Sequence, residues 1–293
     1  MTELGISTAA GVFDAIAAGP PEGRPVLLLH GFPQTGLVWR RQIAALAAHG
    51  YRVVAPDQRG YSPGARPRRP EDYRVDLLVD DVVAISEELG WATFDLVGHD
   101  WGGAVAWWTA HAHPGRVRTL TVVSTPHPGA LATTLRTDQD QRARSRYMID
   151  WRETPATEER MLAHDAQELR AVFAGKVPQG SAEAYVRHLS QPGALTAALN
   201  WYRADRPDGA IGVIDVPTLY VWSTQDGAFG PAAAQETARW VNGPYRFETL
   251  QGVSHWVPEE APETLSRLLL EHLRAHGEYG TAANTPFVDS PKR

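Results

Sequence analysis

The feature that most constrains the fold of this chain is a regular alternation of short apolar segments with helical patterns. Each apolar segment has the length of a strand, and its hydrophobic residues are continuous rather than alternating, which is typical of strands buried on both faces. The segments are 25–30, 51–56, 94–99, 117–124, 216–223 and 245–250. Parallel strands need crossover connections, which are usually helices. The alternation therefore predicts an α/β fold with a mostly parallel central sheet flanked by helices.

Two of the intervening helices have recognisable ends. Thr35 stands where it can cap a helix whose apolar positions share one face, and Gly50 follows where a glycine commonly ends a helix. A second helix repeats this apolar pattern at Leu78, Val82, Ile85 and Leu89, and Gly90 is predicted to end it.

The alternation lapses between about Pro128 and Pro217, a stretch that is rich in helix formers and holds no good strand candidate. A helical domain inserted into the sheet domain accounts for this pattern. We expect residues 129–210 to form a helical cap, or lid, and residues 1–128 and 211–293 to form a discontinuous α/β core. The end of the chain, from about 277 to 293, is expected to be a loose tail.

A glycine-rich turn, "GHDWGG", joins the apolar segment at 94–99 to a helical pattern. This is the outline of a nucleophile elbow, in which small residues allow a sharp turn between a strand and a helix. The central position holds Asp100 where many such turns have serine. Because an aspartate after a strand is often only a helix cap, Asp100 alone proves little.

Further polar residues follow other strands of the predicted sheet. Asp226 comes after the strand at 216–223, and His255 comes after the strand at 245–250. The chain order of nucleophile, acid and histidine is that of α/β-hydrolases, whose sites form at the carboxyl ends of the strands. The backbone N–H groups of Phe32, in "HGFP", and of Trp101 are predicted to form an oxyanion hole.

Several motifs together resemble the epoxide hydrolase branch of the α/β-hydrolase superfamily. They are "VLLLHGFPQTGLVWRRQIAALAAHGYRVVAPDQRGY", "GHDWGG", "LNWYRA" and "GVSHW", and the resemblance covers about 26–256. It implies the α/β-hydrolase fold and a pair of cap tyrosines that donate to an epoxide oxygen. Tyr202, in "NWYR", matches the second of these tyrosines, and Tyr147, in "RSRYMIDWRE", matches the first. The alternative for Tyr147 is a half-buried packing residue.

An aspartate nucleophile suits substitution at a saturated carbon. Serine would form an ether there, whereas Asp100 would form an ester that water activated by His255 can hydrolyse. An opening epoxide leaves as an alkoxide and needs a proton donor, which tyrosine, with a pKa of about 10, can be. We therefore predict an epoxide hydrolase that converts a small apolar epoxide and water to a vicinal diol, with Asp226 orienting His255.

Two alternatives stay open from the sequence. A haloalkane or haloacid dehalogenase would use the same fold and nucleophile, and Trp101 favours it because haloalkane dehalogenases use that indole N–H on the halide. Phe32 argues against it, since many of those enzymes have asparagine there, and fluoroacetate dehalogenases carry arginine where this chain has Trp101. A ligand-binding homologue without turnover is disfavoured because Asp100, Asp226 and His255 are all present.

Composition excludes other classes of protein. A formal net charge of -6 with interspersed signs argues against a nucleic-acid partner, and the absence of cysteine excludes disulfides and thiolate sites. No run of residues approaches the length of a membrane span, so we expect a cytoplasmic protein without a membrane partner. A homo-oligomer is left open.

No metal or cofactor is predicted. His30 and His99 are expected to hydrogen-bond to nearby backbone rather than bind a metal, because no carboxylate or second histidine stands at ligand spacing. Four tryptophans are candidates for the lining of an apolar pocket, namely Trp151, Trp201, Trp222 and Trp256.

Overall fold

The computed structural model describes residues 1–152, 155–204 and 211–277. Its centre is an eight-stranded sheet. In chain order the strands are β1 (Thr2–Thr8), β2 (Gly11–Ala18), β3 (Arg24–Leu29), β4 (Tyr51–Pro56), β5 (Phe94–His99), β6 (Val117–Val123), β7 (Thr218–Gln225) and β8 (Tyr245–Ser254). They lie side by side in the order β1-β2-β4-β3-β5-β6-β7-β8.

Most neighbouring strands of this sheet are parallel. Only the pairs β1 with β2 and β2 with β4 are antiparallel. All pairs from β4 across to β8 are parallel, with Val26 opposite Val53 and Leu27 opposite Leu96 as examples of the register. The predicted α/β fold with a mostly parallel central sheet is confirmed.

The central strands are buried along nearly their whole length, which explains why their hydrophobic residues are continuous. The residues from Val26 to Leu29 have no exposed surface, and Phe94 and Leu96 are also fully buried. The strand boundaries differ from the prediction mainly near the end of the chain. β8 continues to Ser254 rather than ending at Leu250, so that His255 follows the strand directly.

The N-terminal hairpin of β1 and β2 was not among the predicted strands. β2 alternates between buried and exposed side chains, but two of its buried positions, Ala15 and Ala17, are small. In β1 only Ile6 is buried, because this strand lies at the edge of the sheet. Alanine and glycine are poor strand formers, so packing on the neighbouring strand rather than propensity keeps this hairpin in place.

Helices connect the parallel strands and cover the sheet. In the described residues the α-helices are α1 (Arg40–Ala48), α2 (Val75–Glu88), α3 (Trp101–Ala112), α4 (Pro128–Thr137), α5 (Gln139–Arg144), α6 (Tyr147–Asp150), α7 (Ala156–Ala171), α8 (Gln179–Leu189), α9 (Ala194–Arg203), α10 (Pro231–Glu236), α11 (Val257–Glu260) and α12 (Pro262–Ala275). Short 3₁₀ helices occupy Gly36–Trp39, Pro63–Ala65, Pro70–Tyr73 and Thr237–Trp240.

The predicted helix ends agree with the structure. The hydroxyl of Thr35 accepts a hydrogen bond from the Leu37 N–H at 3.4 Å, although the first turn after it is 3₁₀ and α1 begins at Arg40. Gly50 and Gly90 have φ angles of +84° and +73°, a conformation that glycine adopts readily at a helix end.

Helices α4 to α9 lie between β6 and β7, where the sequence predicts the inserted cap. They contact the core through Trp201 of α9, whose indole N–H donates to the Arg59 carbonyl at 3.0 Å, and through Tyr185 of α8, whose hydroxyl donates to Glu259 at 2.6 Å. The exact division into a core of 1–128 and 211–293 and a cap of 129–210 stays a prediction. Residues 205–210 and most of the predicted loose tail, 278–293, lie outside the described residues.

None of the helices in the described parts of the chain is both long enough and apolar enough to span a membrane.

Candidate active site

Asp100 occupies a strained turn between β5 and α3. Its φ and ψ angles are 53° and -122°, an uncommon conformation for a residue that is not glycine. Small neighbours make the turn possible. A Cβ atom on Gly98 would collide with the Gly102 carbonyl, and one on Gly102 would collide with the Leu29 carbonyl. The predicted elbow therefore presents the Asp100 side chain at the carboxyl end of the central strand.

Asp100 is buried, with 7% of the residue exposed, and its carboxylate contacts both backbone N–H groups and His255. The Phe32 N–H donates to Oδ1 at 2.8 Å, the neighbouring Trp101 N–H favours the charged carboxylate, and His255 Nε2 lies 3.5 Å from Oδ2. Burial raises the pKa of this carboxyl, but hydrogen bonding and the charge of His255 outweigh burial and bring the pKa below its ordinary value. Asp100 is therefore ionised at neutral pH.

Asp226 lies on the other side of the imidazole. His255 Nδ1 is 2.9 Å from Asp226 Oδ2, and Asp226 Oδ1 accepts from the N–H groups of Ala228 and Phe229 at 2.8 and 3.0 Å. The geometry thus brings Asp100, His255 and Asp226 together in that order, in the arrangement that the sequence predicts. The catalytic roles of these residues stay predictions.

Two carboxylates control the protonation of His255. Burial lowers the pKa of this imidazole, but the charge of Asp226 and the hydrogen bonds to Asp100 and Asp226 together hold the pKa well above its ordinary value. The imidazole is consequently cationic at neutral pH.

A cavity of about 360 Å³ opens onto these groups. Its walls are mostly aromatic and apolar, and they come from both the sheet domain and the inserted helices. The lining residues are Phe32, Asp100, Tyr147, Trp151, Val172, Ala174, Lys176, Tyr202, Gln225, Gly227, Ala228, Ser254, His255 and Trp256. A small apolar molecule fits a cavity of this kind.

Tyr147 and Tyr202 both face this cavity, with ring centroids 6.3 Å apart. Trp151 contacts both rings, at centroid distances of 4.6 Å from Tyr147 and 5.3 Å from Tyr202. Burial, and to a smaller extent the Asp100 charge, raises the pKa of both phenols well above the ordinary value. Both hydroxyls are therefore protonated at neutral pH and are available as donors.

Two of the four candidate tryptophans line the cavity, namely Trp151 and Trp256. The indole N–H groups of the other two donate to backbone carbonyls: Trp201 to Arg59 at 3.0 Å and Trp222 to Phe229 at 2.9 Å.

The histidines next to the site hydrogen-bond to backbone, as predicted. His30 Nδ1 lies 3.1 Å from the Gly31 carbonyl, and Nε2 accepts from the Gln58 N–H at 3.0 Å. His99 Nε2 lies 2.9 Å from the His255 carbonyl. Among the described residues no group of three or more histidine, aspartate or glutamate side chains is placed to bind a metal ion.

Residues that the sequence pattern did not single out also contact the site. Thr125 donates through its hydroxyl to the Asp100 carbonyl at 2.8 Å, and Ser124 donates to the His255 carbonyl at 2.9 Å. Both follow β6, at the same edge of the sheet as Asp226. Position after a buried strand could therefore have identified them. Gln225 ends β7 and lines the cavity with the same signal, whereas Lys176 lines it without one.

Known proteins similar to this chain share its fold. The family described as alpha/beta hydrolase fold matches residues 24–262. The AB hydrolase superfamily protein YfhM of Bacillus subtilis is 34% identical over 267 residues, which are 88% of this chain and 93% of that protein. Epoxide hydrolase 3 of Xenopus tropicalis is 34% identical over 276 residues, 89% of this chain and 74% of that protein. The crystal structure of Bacillus megaterium epoxide hydrolase in complex with an inhibitor superposes with a TM-score of 0.84 at 26% identity, covering 92% of this chain and 100% of that chain.

Proposed function

Because the chain belongs to the epoxide hydrolase family of the α/β-hydrolase superfamily, we propose that it hydrolyses a small apolar epoxide to a vicinal diol through an ester on Asp100. One observation carries this proposal, namely which side chains line or adjoin one cavity. An ionised carboxylate, an imidazole paired with a second acid and two neutral phenols line or adjoin the same space.

The first step forms the ester. A carboxylate oxygen of Asp100 attacks a carbon of the epoxide ring, and the bond from that carbon to the ring oxygen breaks. The oxygen leaves as an alkoxide and takes a proton from Tyr147 or Tyr202. The depressed pKa of Asp100 and the raised pKa values of the phenols support this division, because the nucleophile is charged and the acids are protonated.

The second step needs a neutral His255. Ester formation removes the Asp100 charge that helps to hold the imidazole cationic, so the pKa of His255 falls. Its proton can then restore the tyrosine that protonated the alkoxide. The neutral imidazole is left facing the ester as a base, and no external acid is required.

Hydrolysis regenerates the enzyme. His255 takes a proton from water, and the resulting hydroxide attacks the carboxyl carbon of Asp100. In this step the N–H groups of Phe32 and Trp101 donate to the tetrahedral oxyanion, a role that the Phe32 N–H contact with the Asp100 carboxylate supports. The tetrahedral intermediate then expels the diol oxygen, which takes the second proton of the water from the new Asp100 hydroxyl, and this leaves the Asp100 carboxylate and the cationic His255.

The dehalogenase alternative has less support. A halide needs N–H donors rather than an acid, yet two phenol hydroxyls line this cavity. Phe32 supplies a backbone N–H to Asp100 and has no second N–H on its side chain for a halide. A cytoplasmic location remains a prediction from the sequence, and the sequence leaves the oligomeric state open.

A panel of substrates tests the proposal. Styrene oxide, a haloalkane, fluoroacetate and an activated ester are each incubated with the purified protein, and the products are identified by mass spectrometry. We expect a vicinal diol from the epoxide and little release of halide. Halide release without diol formation would assign the protein to the dehalogenases, and no turnover of any compound would support a binding protein.

A further inference from the structure

The backbone carbonyl of His255 accepts two hydrogen bonds from side chains. His99 Nε2 donates at 2.9 Å and Ser124 Oγ donates at 2.9 Å. Both donors are fully buried, and they come from the carboxyl ends of the neighbouring strands β5 and β6. We call His99 and Ser124 the donor pair.

The protonation of His99 suits this contact. Burial is the main cause that lowers the pKa of His99 to about 4, so the ring is neutral and carries one N–H. That N–H must be on Nε2, which faces the carbonyl, and Nδ1 has no hydrogen-bond partner in the described parts of the chain.

Ser124 is held in an unusual backbone conformation. Its φ angle is 62°, in the left-handed region that residues with a side chain seldom occupy. The Ser124 N–H donates to the Val221 carbonyl at 2.8 Å, which helps to fix this conformation. Strained backbone of this kind persists where the surroundings over-determine it, and it clusters at functional sites.

We infer that the donor pair positions His255 for hydrolysis of the Asp100 ester. The imidazole must keep Nδ1 on Asp226 at 2.9 Å while Nε2 faces Asp100, and this requires a fixed peptide as well as a fixed ring. The two hydrogen bonds from the donor pair hold the His255 carbonyl and thereby fix the peptide. His99 and Ser124 are positioning residues, since they act through His255. The inference rests on the proposed function.

A neighbouring residue provides an internal comparison. Thr125 follows Ser124 in the chain, but its hydroxyl donates to the carbonyl of Asp100 rather than to that of His255. Loss of the Ser124 hydroxyl should therefore impair hydrolysis of the ester, which uses His255 as a base, whereas loss of the Thr125 hydroxyl should impair ester formation, which depends on the aim of the attacking Asp100 carboxylate. General loosening of this loop would affect both steps in both variants.

The experiment separates the two steps. Ester formation and ester breakdown are measured by rapid quench and intact-protein mass spectrometry with styrene oxide. In Ser124→Ala we expect breakdown to slow about fivefold, as for the loss of one of two hydrogen bonds, with ester formation unchanged. In Thr125→Val we expect slower ester formation and unchanged breakdown. His255→Gln is the reference in which breakdown stops and the ester persists.

Two further variants distinguish the donated hydrogen bond from other effects. Gln at position 99 can place an amide N–H near the position of Nε2, whereas Leu cannot. We therefore expect His99→Leu to slow breakdown about fivefold and His99→Gln to recover most of the rate. Ser124→Gly relieves the backbone conformation but lacks the hydroxyl, so it should remain as slow as Ser124→Ala. Combining Ser124→Ala with His99→Leu leaves the buried carbonyl without a donor and should slow breakdown on the order of 100-fold.

The possible outcomes are distinct. Equal slowing of both steps in Ser124→Ala, or no recovery in His99→Gln, would overturn the positioning role. A different result would test the proposed function itself. If the unchanged protein forms a diol but His255→Gln accumulates no ester, the two-step function fails, whatever the donor-pair variants do.

Discussion

At the level of single residues, the proposed mechanism makes Asp100 both the nucleophile and a regulator of its own base. As an anion it contributes to the cationic state of His255, and as an ester it no longer does. The same carboxylate therefore determines when the imidazole is protonated and when it is free to accept a proton. This coupling depends on the 3.5 Å approach of His255 Nε2 to Asp100 Oδ2.

Asp100→Asn imitates the ester by removing the charge while keeping the size of the side chain. We expect the pKa of His255 to fall, because the Asp100 charge and hydrogen bond both raise it in the unchanged protein. An NMR titration of the imidazole signals measures the midpoint. The matched control is Asp76→Asn, which removes an exposed carboxylate on α2 and should leave the midpoint unchanged. If the His255 midpoint in Asp100→Asn equals that in the unchanged protein, the proposed coupling is wrong.

Tyr147→Phe and Tyr202→Phe each remove one hydroxyl from the cavity and keep the ring contacts with Trp151. If the two hydroxyls share the developing alkoxide charge, each single change should slow ester formation on the order of 10²-fold, a typical general-acid contribution. The double change should nearly abolish ring opening. Breakdown of an ester already formed should change much less, since it relies on His255. Tryptophan fluorescence follows the first step, and unchanged ester formation in the double variant would remove the tyrosines from the mechanism.

Most of the candidate site could be predicted because its residues follow buried strands in a known order. Asp226 and His255 are recognisable in this way, and Asp100 stands in a distinctive turn. The contacts of Ser124 and Thr125 could not be predicted, because a serine or threonine after a strand has many possible partners. Which backbone carbonyl each hydroxyl reaches depends on the conformation of the loops, and the positive φ of Ser124 carries no sequence signal.

At the scale of elements, the junction of β5 and α3 requires close approach of two backbones. The glycines of "GHDWGG" indicate this requirement in the sequence, since only small residues fit there. The N-terminal hairpin is the opposite case, because its small residues and exposed edge give a weak pattern. The helices between β6 and β7 could be predicted from the sequence, whereas the bounds of a separate cap stay a prediction, because they depend on packing that periodicity does not encode.

Gly102→Ala tests the close approach at this junction. A Cβ atom there would press on the carbonyls of Leu29 and His30, and backbone cannot move aside easily. We expect the free energy of unfolding to decrease by about 1–3 kcal/mol. Gly180→Ala on α8 is the matched control, since nothing lies within 4 Å of its added atom, and a surface change of this kind should stay within about 0.5 kcal/mol. Equal denaturation midpoints for the two variants would refute the packing argument.

In the molecule as a whole, the candidate site combines groups from two parts of the chain. The sheet domain supplies Asp100, Asp226 and His255, and the helices inserted between β6 and β7 supply Tyr147 and Tyr202. The proposed chemistry needs both sets, since one forms and hydrolyses the ester and the other protonates the leaving oxygen. In this proposed chemistry, the oxygen added to the epoxide carbon comes from Asp100 and not directly from water.

A single turnover in ¹⁸O-water tests this claim most directly. The enzyme is held in excess over the epoxide, and mass spectrometry measures the label in the diol and in the peptide that contains Asp100. The account predicts an unlabelled diol and one ¹⁸O atom in the Asp100 carboxyl, because water attacks the carboxyl carbon. Label in the first-turnover diol, with none in Asp100, would contradict it.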